Sequence, residues 1–345
     1  MIKHDFNISI VVTSISSDTN PILLKLAKKS IQNNYQLIVI GDKGSPSNFQ
    51  IDGCQFCSIE EQKKLSFDYA DICPEGHYAR KNIGYLLGIR DQASVIIETD
   101  DDNLPYDSFW QERKRFLDIP AIANAGWVNV YQYFTEQEIW PRGFPLELIK
   151  EHNLPNWNYL LAKATDAPIQ QGLANENPDV DAVYRLTYPL PQTFKGNRKV
   201  ALSNGTWCPF NSQNTAWWKE AYPLMYLPAY CSFRMTDIWR SFIAQRIAWT
   251  NGWSVLFHQP TVWQQRNEHN LMKDFQDEIS GYLNNREICR SLEKLNLREG
   301  VNFIGHNMQI CYEKLIDMKL FPPKELKLLN RWLNDISKLQ KNLEK

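Results

Sequence analysis

An excess of charge of either sign is missing from this sequence, which has 38 lysine and arginine residues against 39 aspartate and glutamate residues. The formal net charge of -1 gives no field that would gather nucleic acid. Disorder is also excluded, because 43% hydrophobic residues can form a large core and 22% charged residues are ordinary for a globular protein. We therefore expect a folded protein that does not bind nucleic acid.

Long apolar runs, repeats and low-complexity segments are missing as well. No stretch approaches the ~18 uninterrupted apolar residues of a transmembrane helix. The start, MIKHDFNISIVVTSIS, enters a strand-like run without the pattern of a signal peptide. We expect a cytoplasmic protein without a transmembrane segment, and peripheral contact with a membrane stays open.

Cysteine is sparse, and its 7 residues are scattered rather than grouped as a disulfide framework. Cys54 and Cys57 form a C-x-x-C, but no second pair stands at zinc-finger spacing. We expect reduced, structural thiols.

The first third of the chain alternates strand-like and helical patterns: NISIVVTSI, PILLKLAKKSIQN, YQLIVIGD, RKNIGYLLGIRD and SVIIETDDDN. This rhythm predicts an α/β fold with a parallel sheet. Ligands of such sheets bind at the carboxyl ends of the strands, so Asp42 and the aspartate run should share one edge.

We predict a catalytic domain over residues 1–270 and a helical C-terminal extension over 271–345. The catalytic domain divides into a nucleotide-binding half (1–118) and an acceptor and sugar half (119–270). In the extension, an apolar stripe either docks on the body or pairs subunits of a homo-oligomer, and we favour docking. The stripe consists of Leu326, Leu329, Leu333 and Ile336.

The run ETDDDN places Asp100, Asp101 and Asp102 where a buried strand emerges at the sheet edge. Mutual repulsion makes such a cluster unfavourable without a counter-charge, and Mg²⁺ or Mn²⁺ shared with phosphate oxygens supplies one. A departing nucleoside diphosphate requires the same neutralisation. The alternative is a solvated acidic loop.

Arg80 and Lys81 stand near the beginning of the helix in GHYARKNIGYLLGI. Cations beside free backbone N–H groups form an anion site. The alternative is that both are surface charges.

Several motifs, in order and spacing, resemble the STELLO family of glycosyltransferases: YARKNIGYLLGI, ETDDDN, IWPRGFPLE, IQQGLANENPDVDAVYRL, VALSNGTWCPFNSQNT and MTDIWRSFIAQRIAW. The aspartate triplet and the Arg142–Pro145 element are more distantly similar to the reversibly glycosylated polypeptides, or UDP-arabinopyranose mutases. The likeness covers roughly residues 8–270 and leaves the helical tail unexplained. It implies a GT-A fold, single and Rossmann-like, with a divalent metal and a nucleotide-sugar donor.

Carried over from that resemblance, Asp100 and Asp102 look like the ends of the D-x-D metal motif, and Arg80 looks like the donor-phosphate arginine. Asp42 would lie near the base. The donor-binding set that we expect is Thr13, Asp42, Arg80, Lys81, Asp100 and Asp101.

Two further residues are expected to be catalytic. Arg142 matches the sugar-carrying arginine of the mutase-like relatives, but its guanidinium equally suits binding of a diphosphate or of acceptor hydroxyls, which we favour. Asp237, in MTDIWRSF, stands where inverting GT-A enzymes place a general base. Its alternatives are a helix cap or an ion pair with Arg240.

The remaining expected ligands are spread over later segments. His258 is a candidate third metal ligand with Asp100 and Asp102, and His269 is a second candidate. Trp140, Trp207, Trp217 and Trp218 either stack on sugars or form core. The substrate-binding set is Trp140, Arg142, Gly143, Gln171, Asp179, Asp181 and Asn211.

The sequence thus predicts a metal-dependent, inverting glycosyltransferase. Its donor would be a nucleotide-sugar, a UDP-sugar in particular, and its acceptor a hydroxyl of a glycan or lipid-linked molecule in surface polysaccharide or glycoconjugate synthesis. Two alternatives stay open: a nucleotide-sugar mutase that interconverts pyranose and furanose rings, and a degenerate transferase that serves as a scaffold.

Overall fold

The computed structural model describes residues 7–151, 154–265 and 270–343. It has an α/β architecture built on an 11-stranded sheet. The strands are β1 (Ile8–Thr13), β2 (Gln36–Ile40), β3 (Cys54–Cys57), β4 (Val95–Thr99), β5 (Asn103–Pro105), β6 (Phe116–Ile122), β7 (Gly126–Trp127), β8 (Ala162–Asp166), β9 (Ile169–Asn175), β10 (Lys199–Leu202), β11 (Thr206–Trp207), β12 (Asn214–Trp218) and β13 (Val255–Gln264). The helices are α1 (Pro21–Asn33), α2 (Ile59–Gln62), α3 (Lys81–Arg90), α4 (Ala182–Thr187), α5 (Thr236–Trp249), α6 (Leu271–Glu293), α7 (Ile304–Asp317) and α8 (Lys324–Leu343).

The first four strands of the large sheet, in the order β3-β2-β1-β4, are all parallel. Strands β2 and β4 are buried along their whole length, as the apolar runs of parallel sheets require. Beyond β4 the sheet becomes mixed, since β12 pairs antiparallel with both β4 and β9. The predicted α/β class and GT-A-like organisation are confirmed.

Alternation along β1 distributes its side chains between two helical layers. Ile10 and Val12 share a core with α1, whereas Val11 faces the larger core that contains α3 and α5. The carboxyl ends of β1, β2 and β4 therefore meet at one edge, between the two layers. Asp42 and the aspartate run lie at that edge, as predicted.

The C-terminal helices belong to the larger core. Leu329, Trp332 and Ile336 of α8 are buried in it, and Leu326 and Leu333 pack against it. The predicted docking of the apolar stripe is confirmed, so this face of α8 is occupied within the chain. The predicted division at residue 270 stays a prediction.

Two features of the sequence are seen directly in the described part of the chain. All of its cysteines are free thiols. None of its helices is both long enough and apolar enough to cross a lipid bilayer.

Candidate active site

A cavity of about 520 Å³ opens at the carboxyl edge of β1, β2 and β4. The loops that follow these strands form its floor. Segments 76–78 and 233–234 form the walls, together with the start of α5. Predicted site residues that line it are Thr13, Asp42, Arg80, Asp100, Asp101, Asp102, Arg142, Asp179 and Asp237.

The three aspartates lie in the cavity and are held by separate partners. Asp100 Oδ1 accepts hydrogen bonds from Lys81 Nζ at 2.8 Å and the Tyr78 hydroxyl at 2.9 Å. Asp101 Oδ2 accepts from the hydroxyls of Ser14 and Ser16, at 2.5 and 2.8 Å. The triplet is therefore fixed in place and is not a solvated loop.

A divalent cation fits the chemistry of this triplet. The donors are hard carboxylate oxygens, and the hydrogen bonds above use one oxygen each of Asp100 and Asp101. Burial raises the pKa of Asp100 against the opposing effect of Lys81, and a cation would favour the ionised form. Within the described part of the chain, no three His, Cys, Asp or Glu side chains form a complete metal site. A cation there would need oxygens from a ligand, as Mg²⁺ bound with phosphates does.

Asp42 organises a wall of the cavity. Its carboxylate accepts the backbone N–H groups of Gly76 at 2.7 Å and His77 at 2.8 Å. The carboxylate thus ties the loop after β2 to the segment before α3. The Lys43 amide also donates to Asp42, at 2.8 Å. The expected position of Asp42 near a base stays a prediction.

Arg80 and Lys81 are both buried, so neither is a surface charge. Arg80 lines the cavity and donates to Gln62 Oε1 at 2.8 Å and to the Cys73 carbonyl at 3.1 Å. Because these acceptors are uncharged, its positive charge remains to attract an anion. Lys81 lies behind the cavity wall, with its ammonium on Asp100 and on the Thr99 carbonyl at 2.7 Å. Lys81 therefore orients an aspartate, and direct contact with the donor is not what its geometry favours.

Arg142 also lines the cavity and lies between two carboxylates. Its Nε and Nη2 donate to Asp179 at 2.7 and 2.8 Å, and Nη1 and Nη2 both donate to Asp237 at 3.0 Å. Asp237 also accepts from the amide and hydroxyl of Ser212, each at 3.1 Å. All members of this Asp179–Arg142–Asp237 trio are buried.

The Arg142–Asp237 pair is charged at neutral pH. Burial alone would lower the pKa of Arg142, but the carboxylates of Asp179 and Asp237 raise it well above the usual value. Burial would raise the pKa of Asp237, but the Arg142 guanidinium lowers it far below the usual value. A carboxylate with so low a pKa is a weak general base. The geometry therefore favours Asp237 as the residue that orients Arg142.

The Asp237–Arg240 pair considered from the sequence does not form. Arg240 instead makes two bonds of 2.8 Å to Glu98, the first acid of ETDDDN. Glu98 also accepts from Trp217 Nε1 at 2.8 Å and from the Tyr85 hydroxyl. Since side chains alternate along β4, Glu98 points into the larger core with Ile96.

The other predicted substrate ligands do not line the cavity. Trp140 donates to Asp181 at 2.7 Å, and Asp181 caps α4 by accepting the Tyr184 amide at 2.8 Å. Gln171 accepts the Asn211 amide at 2.8 Å, which fixes the segment before β12. These side chains are buried and bond to one another, so they support the fold.

Gly143 and the tryptophans also have structural positions. Gly143 has φ +89°, and a Cβ there would stand 2.4 Å from Ile238 Cγ2. It therefore permits close packing of the Arg142 segment on α5. Trp207 and Trp217 are buried in the larger core, and Trp218 packs against the smaller one.

His258 lies outside the cavity, so the structure does not bring it to Asp100 and Asp102. Its Nδ1 is 2.9 Å from the Gln259 carbonyl. Burial, reinforced by the nearby Arg113, lowers the pKa of His258 to about 4. The cationic surroundings that lower this pKa also disfavour a metal ion. His269 lies outside the described residues.

Sequence reasoning missed several cavity residues. Tyr78 and Ser14 bond to the aspartates, and Gln264 Nε2 donates to Asp102 at 2.9 Å. Phe233, which is 57% exposed, and Arg234 form a wall. The only available sign of this wall in the sequence was an aromatic residue followed by an arginine, just before the MTDIWRSF motif.

The fold is α/β, and its acidic cavity opens at the carboxyl edge of the parallel strands, the edge at which open α/β sheets bind ligands. A family model described as STELLO glycosyltransferases matches residues 234–345. From Arabidopsis thaliana, the protein named probable glycosyltransferase STELLO2 is 30% identical over 250 residues, which are 66% of this chain and 32% of that protein. Probable glycosyltransferase STELLO1, from the same plant, is 29% identical over 250 residues, with the same shares.

These matches confirm the resemblance of this chain to STELLO-type glycosyltransferases. The chain spans about a third of the length of these curated relatives, since the matches cover 32% of each. The expectation that the likeness stops near residue 270 is wrong, because the family model extends through the C-terminal helices to residue 345. The more distant likeness to the mutases stays a prediction.

Proposed function

We propose that this chain is a glycosyltransferase that transfers a sugar from a nucleotide-sugar, specifically a UDP-sugar, to a hydroxyl of an acceptor. The observation that carries the proposal is the placement of Asp100, Asp101 and Asp102 in a cavity at the sheet edge that also contains Arg80. Carboxylates for a cation and a buried guanidinium for phosphate are what a diphosphate leaving group requires. The STELLO resemblance supports the same class of activity.

Asp100 and Asp102 would hold Mn²⁺ or Mg²⁺, which when bound offsets the negative charge of the departing diphosphate. Asp42 and Thr13 line the part of the cavity next to β1 and β2, where the nucleoside would bind. Arg142 would bind hydroxyl or phosphate oxygens in the same cavity, oriented by Asp179 and Asp237. A glycan or lipid-linked acceptor, in surface polysaccharide or glycoconjugate synthesis, belongs to the same proposal. Inverting stereochemistry stays a prediction from the sequence, because the geometry favours Asp237 as the residue that orients Arg142 rather than as a general base.

The mutase alternative is less well supported by the trio. A covalent sugar on Arg142 needs a neutral guanidinium nitrogen, whereas two carboxylates hold this guanidinium protonated. Binding through its N–H groups requires no such change. We therefore favour transfer to an acceptor over ring interconversion.

A panel of nucleoside diphosphates and diphospho-sugars, each with and without Mn²⁺, tests the proposal through the melting temperature. A ligand at a hundred times its Kd stabilises the native state by about 2.7 kcal/mol. We expect UDP-sugars with Mn²⁺ to give the largest increase. Product analysis by mass spectrometry and NMR, with and without an acceptor, then separates transfer, which adds a sugar to the acceptor, from ring interconversion, which changes the ring form of the donor sugar but not its mass. A panel with no metal-dependent increase would favour the scaffold alternative.

A further inference from the structure

The cavity walls at 76–78 and 233–234 lie outside the sheet. Each wall is preceded along the chain by a backbone segment that is hydrogen-bonded to the C-terminal helix α8, at 68–69 and at 229–230 respectively. The rings of Tyr78 and Phe233 meet at 5.8 Å between centroids, so the two walls touch. Their relative position decides the width of the cavity.

Glu325, in the first turn of α8, is fully buried and bonds to the segment before Phe233. Its carboxylate accepts the Tyr230 amide at 2.8 Å, the Ala229 amide at 3.2 Å and the hydroxyl of Tyr226. These bonds fix the chain just before it forms the 233–234 wall.

Asp335, also buried on α8, bonds to the segment that leads to the other wall. It accepts the amides of Asp68 at 3.0 Å and Tyr69 at 2.8 Å. The Tyr69 hydroxyl then donates to the Ala79 carbonyl at 3.1 Å, next to the 76–78 wall. Asp335 is thus connected to the 76–78 wall through one residue, Tyr69.

Asn82 of α3 joins the two segments. It donates to the Leu227 carbonyl and accepts the Leu227 amide, both at 2.9 Å, and it donates to the Tyr69 hydroxyl at 2.8 Å. The two walls, α3 and α8 therefore form one hydrogen-bonded unit.

Burying carboxylates at these places is unfavourable in itself. Burial raises the pKa of both Glu325 and Asp335 above the usual values. Apolar side chains would avoid that desolvation, but they could not accept irregular backbone N–H groups, which are costly to bury unpaired. Buried carboxylates at these two positions therefore suit backbone segments that must be held in a fixed geometry.

We propose that Glu325 and Asp335 are positioning residues through which α8 sets the walls of the cavity for nucleotide binding. The identity of the nucleotide, UDP, rests on the proposed function. On this account α8 is part of the binding machinery although neither residue touches the ligand.

The test compares Glu325→Gln with Asn307→Asp in the full chain. Asn307 is a matched control, because it is a buried side chain of α7 that bonds to backbone, at Arg298, away from the cavity. We expect Glu325→Gln to weaken UDP binding with Mn²⁺ by about tenfold, the effect of lost supporting contacts. Asn307→Asp should bind as the original chain does. Equal affinity in all three proteins, or equal loss in both variants, would overturn the proposal.

Hydrogen exchange gives a second measurement that needs no ligand. We expect faster exchange of the amides at 229–234 in Glu325→Gln, extending to 76–78 through Asn82, with neither change in Asn307→Asp. Asp335→Asn replaces Glu325→Gln if the latter does not fold, and its expected effect begins at 68–69. If the original chain does not bind UDP, the proposed function fails, and the exchange data alone decide the role of α8. Exchange that is unchanged at both walls would overturn it.

Discussion

The stability of the site depends on the balance of charge around a single residue, Arg142. Its guanidinium is the shared partner of Asp179 and Asp237, and all three side chains are buried. Removing it would leave two carboxylates facing each other in a region of low dielectric. Breaking a buried ion pair in this way is far more costly than losing an exposed one.

We predict that Arg142→Met lowers the free energy of unfolding by about 3 to 5 kcal/mol. Urea denaturation at pH 7 measures this change. Arg286→Ala is the control, because Arg286 forms a partly exposed pair with Glu147 at 3.5 Å, and its loss should cost less than about 1 kcal/mol. Similar small losses in both variants would contradict a buried ion pair between Arg142 and its carboxylate partners.

Asp181 provides a pH test at the same scale. Burial raises its pKa to about 7, despite the amide and indole N–H groups that it accepts. The folded protein therefore keeps this proton to higher pH than the unfolded chain, whose aspartates titrate near about 3.9. Stability falls with rising pH wherever the folded state binds more protons.

We predict that the stability of the original chain relative to Asp181→Asn is greatest near pH 4 and falls until about pH 7, the folded pKa. Above that pH the difference should be level. Urea denaturation of both proteins across this range checks the slope. A difference that increases with pH would mean that Asp181 is ionised in the folded protein throughout.

Residue-scale prediction succeeded where position along a strand fixed the environment. The aspartates follow a buried parallel strand, so their location at the ligand-binding edge could be read from the sequence. The structure places Gln171 and Asp181 outside the cavity, with side chains that bond inward. The orientation of Gln171 depends on the pairing of β9 with β12, which is not encoded locally.

At the scale of elements, the contact of the Arg142 segment with α5 requires a glycine. Gly143 combines a positive φ of +89° with a Cβ position only 2.4 Å from Ile238. Gly196 has a similar φ of +85°, but nothing lies within 4 Å of its Cβ position. Comparing Gly143 with Gly196 therefore separates the free-energy cost of the left-handed backbone from the cost of close contact with α5.

We predict that Gly143→Ala destabilises the protein by at least about 1 kcal/mol more than Gly196→Ala, because only the former forces α5 away. Both variants pay the backbone cost of a left-handed conformation. Thermal denaturation of the two variants measures the difference. Equal losses would show that the segment and α5 are not packed as closely as described.

Helices and strands could be predicted from the sequence in the first third of the chain, and less well after it. The patterns PILLKLAKKSIQN and RKNIGYLLGIRD gave α1 and α3, because apolar spacing alone indicates a helix on a sheet. The antiparallel insertion of β12 between β4 and β9 was not predicted. Its strand is short, and its pairing partners are distant along the chain, so no local pattern reports them.

At the scale of the whole molecule, the C-terminal helices share their core with the sheet. Trp332 of α8 is fully buried, its indole N–H donates to the Pro223 carbonyl at 2.9 Å, and its ring packs on Tyr69, Tyr85 and Tyr226. Residues on both sides of the predicted boundary at 270 therefore belong to one core.

We predict that Trp332→Ala costs about 3 to 5 kcal/mol and shifts the unfolding of the whole chain. Circular dichroism and tryptophan fluorescence should report one coincident transition in both the original chain and the variant. Early loss of the helical signal, with the fluorescence transition unmoved, would indicate that the extension unfolds as a separate unit.

We propose that aspartates at the carboxyl edge of the sheet bind a nucleoside diphosphate together with a divalent cation. Calorimetric titration of UDP into the chain, with and without Mn²⁺, tests it directly when repeated on the Asp100→Asn, Asp102→Asn double variant. We expect UDP binding that requires Mn²⁺ and is lost in the double variant. The melting temperature of the double variant without ligand serves as the control that it is folded. Unaltered, Mn²⁺-dependent affinity in a folded double variant would contradict it.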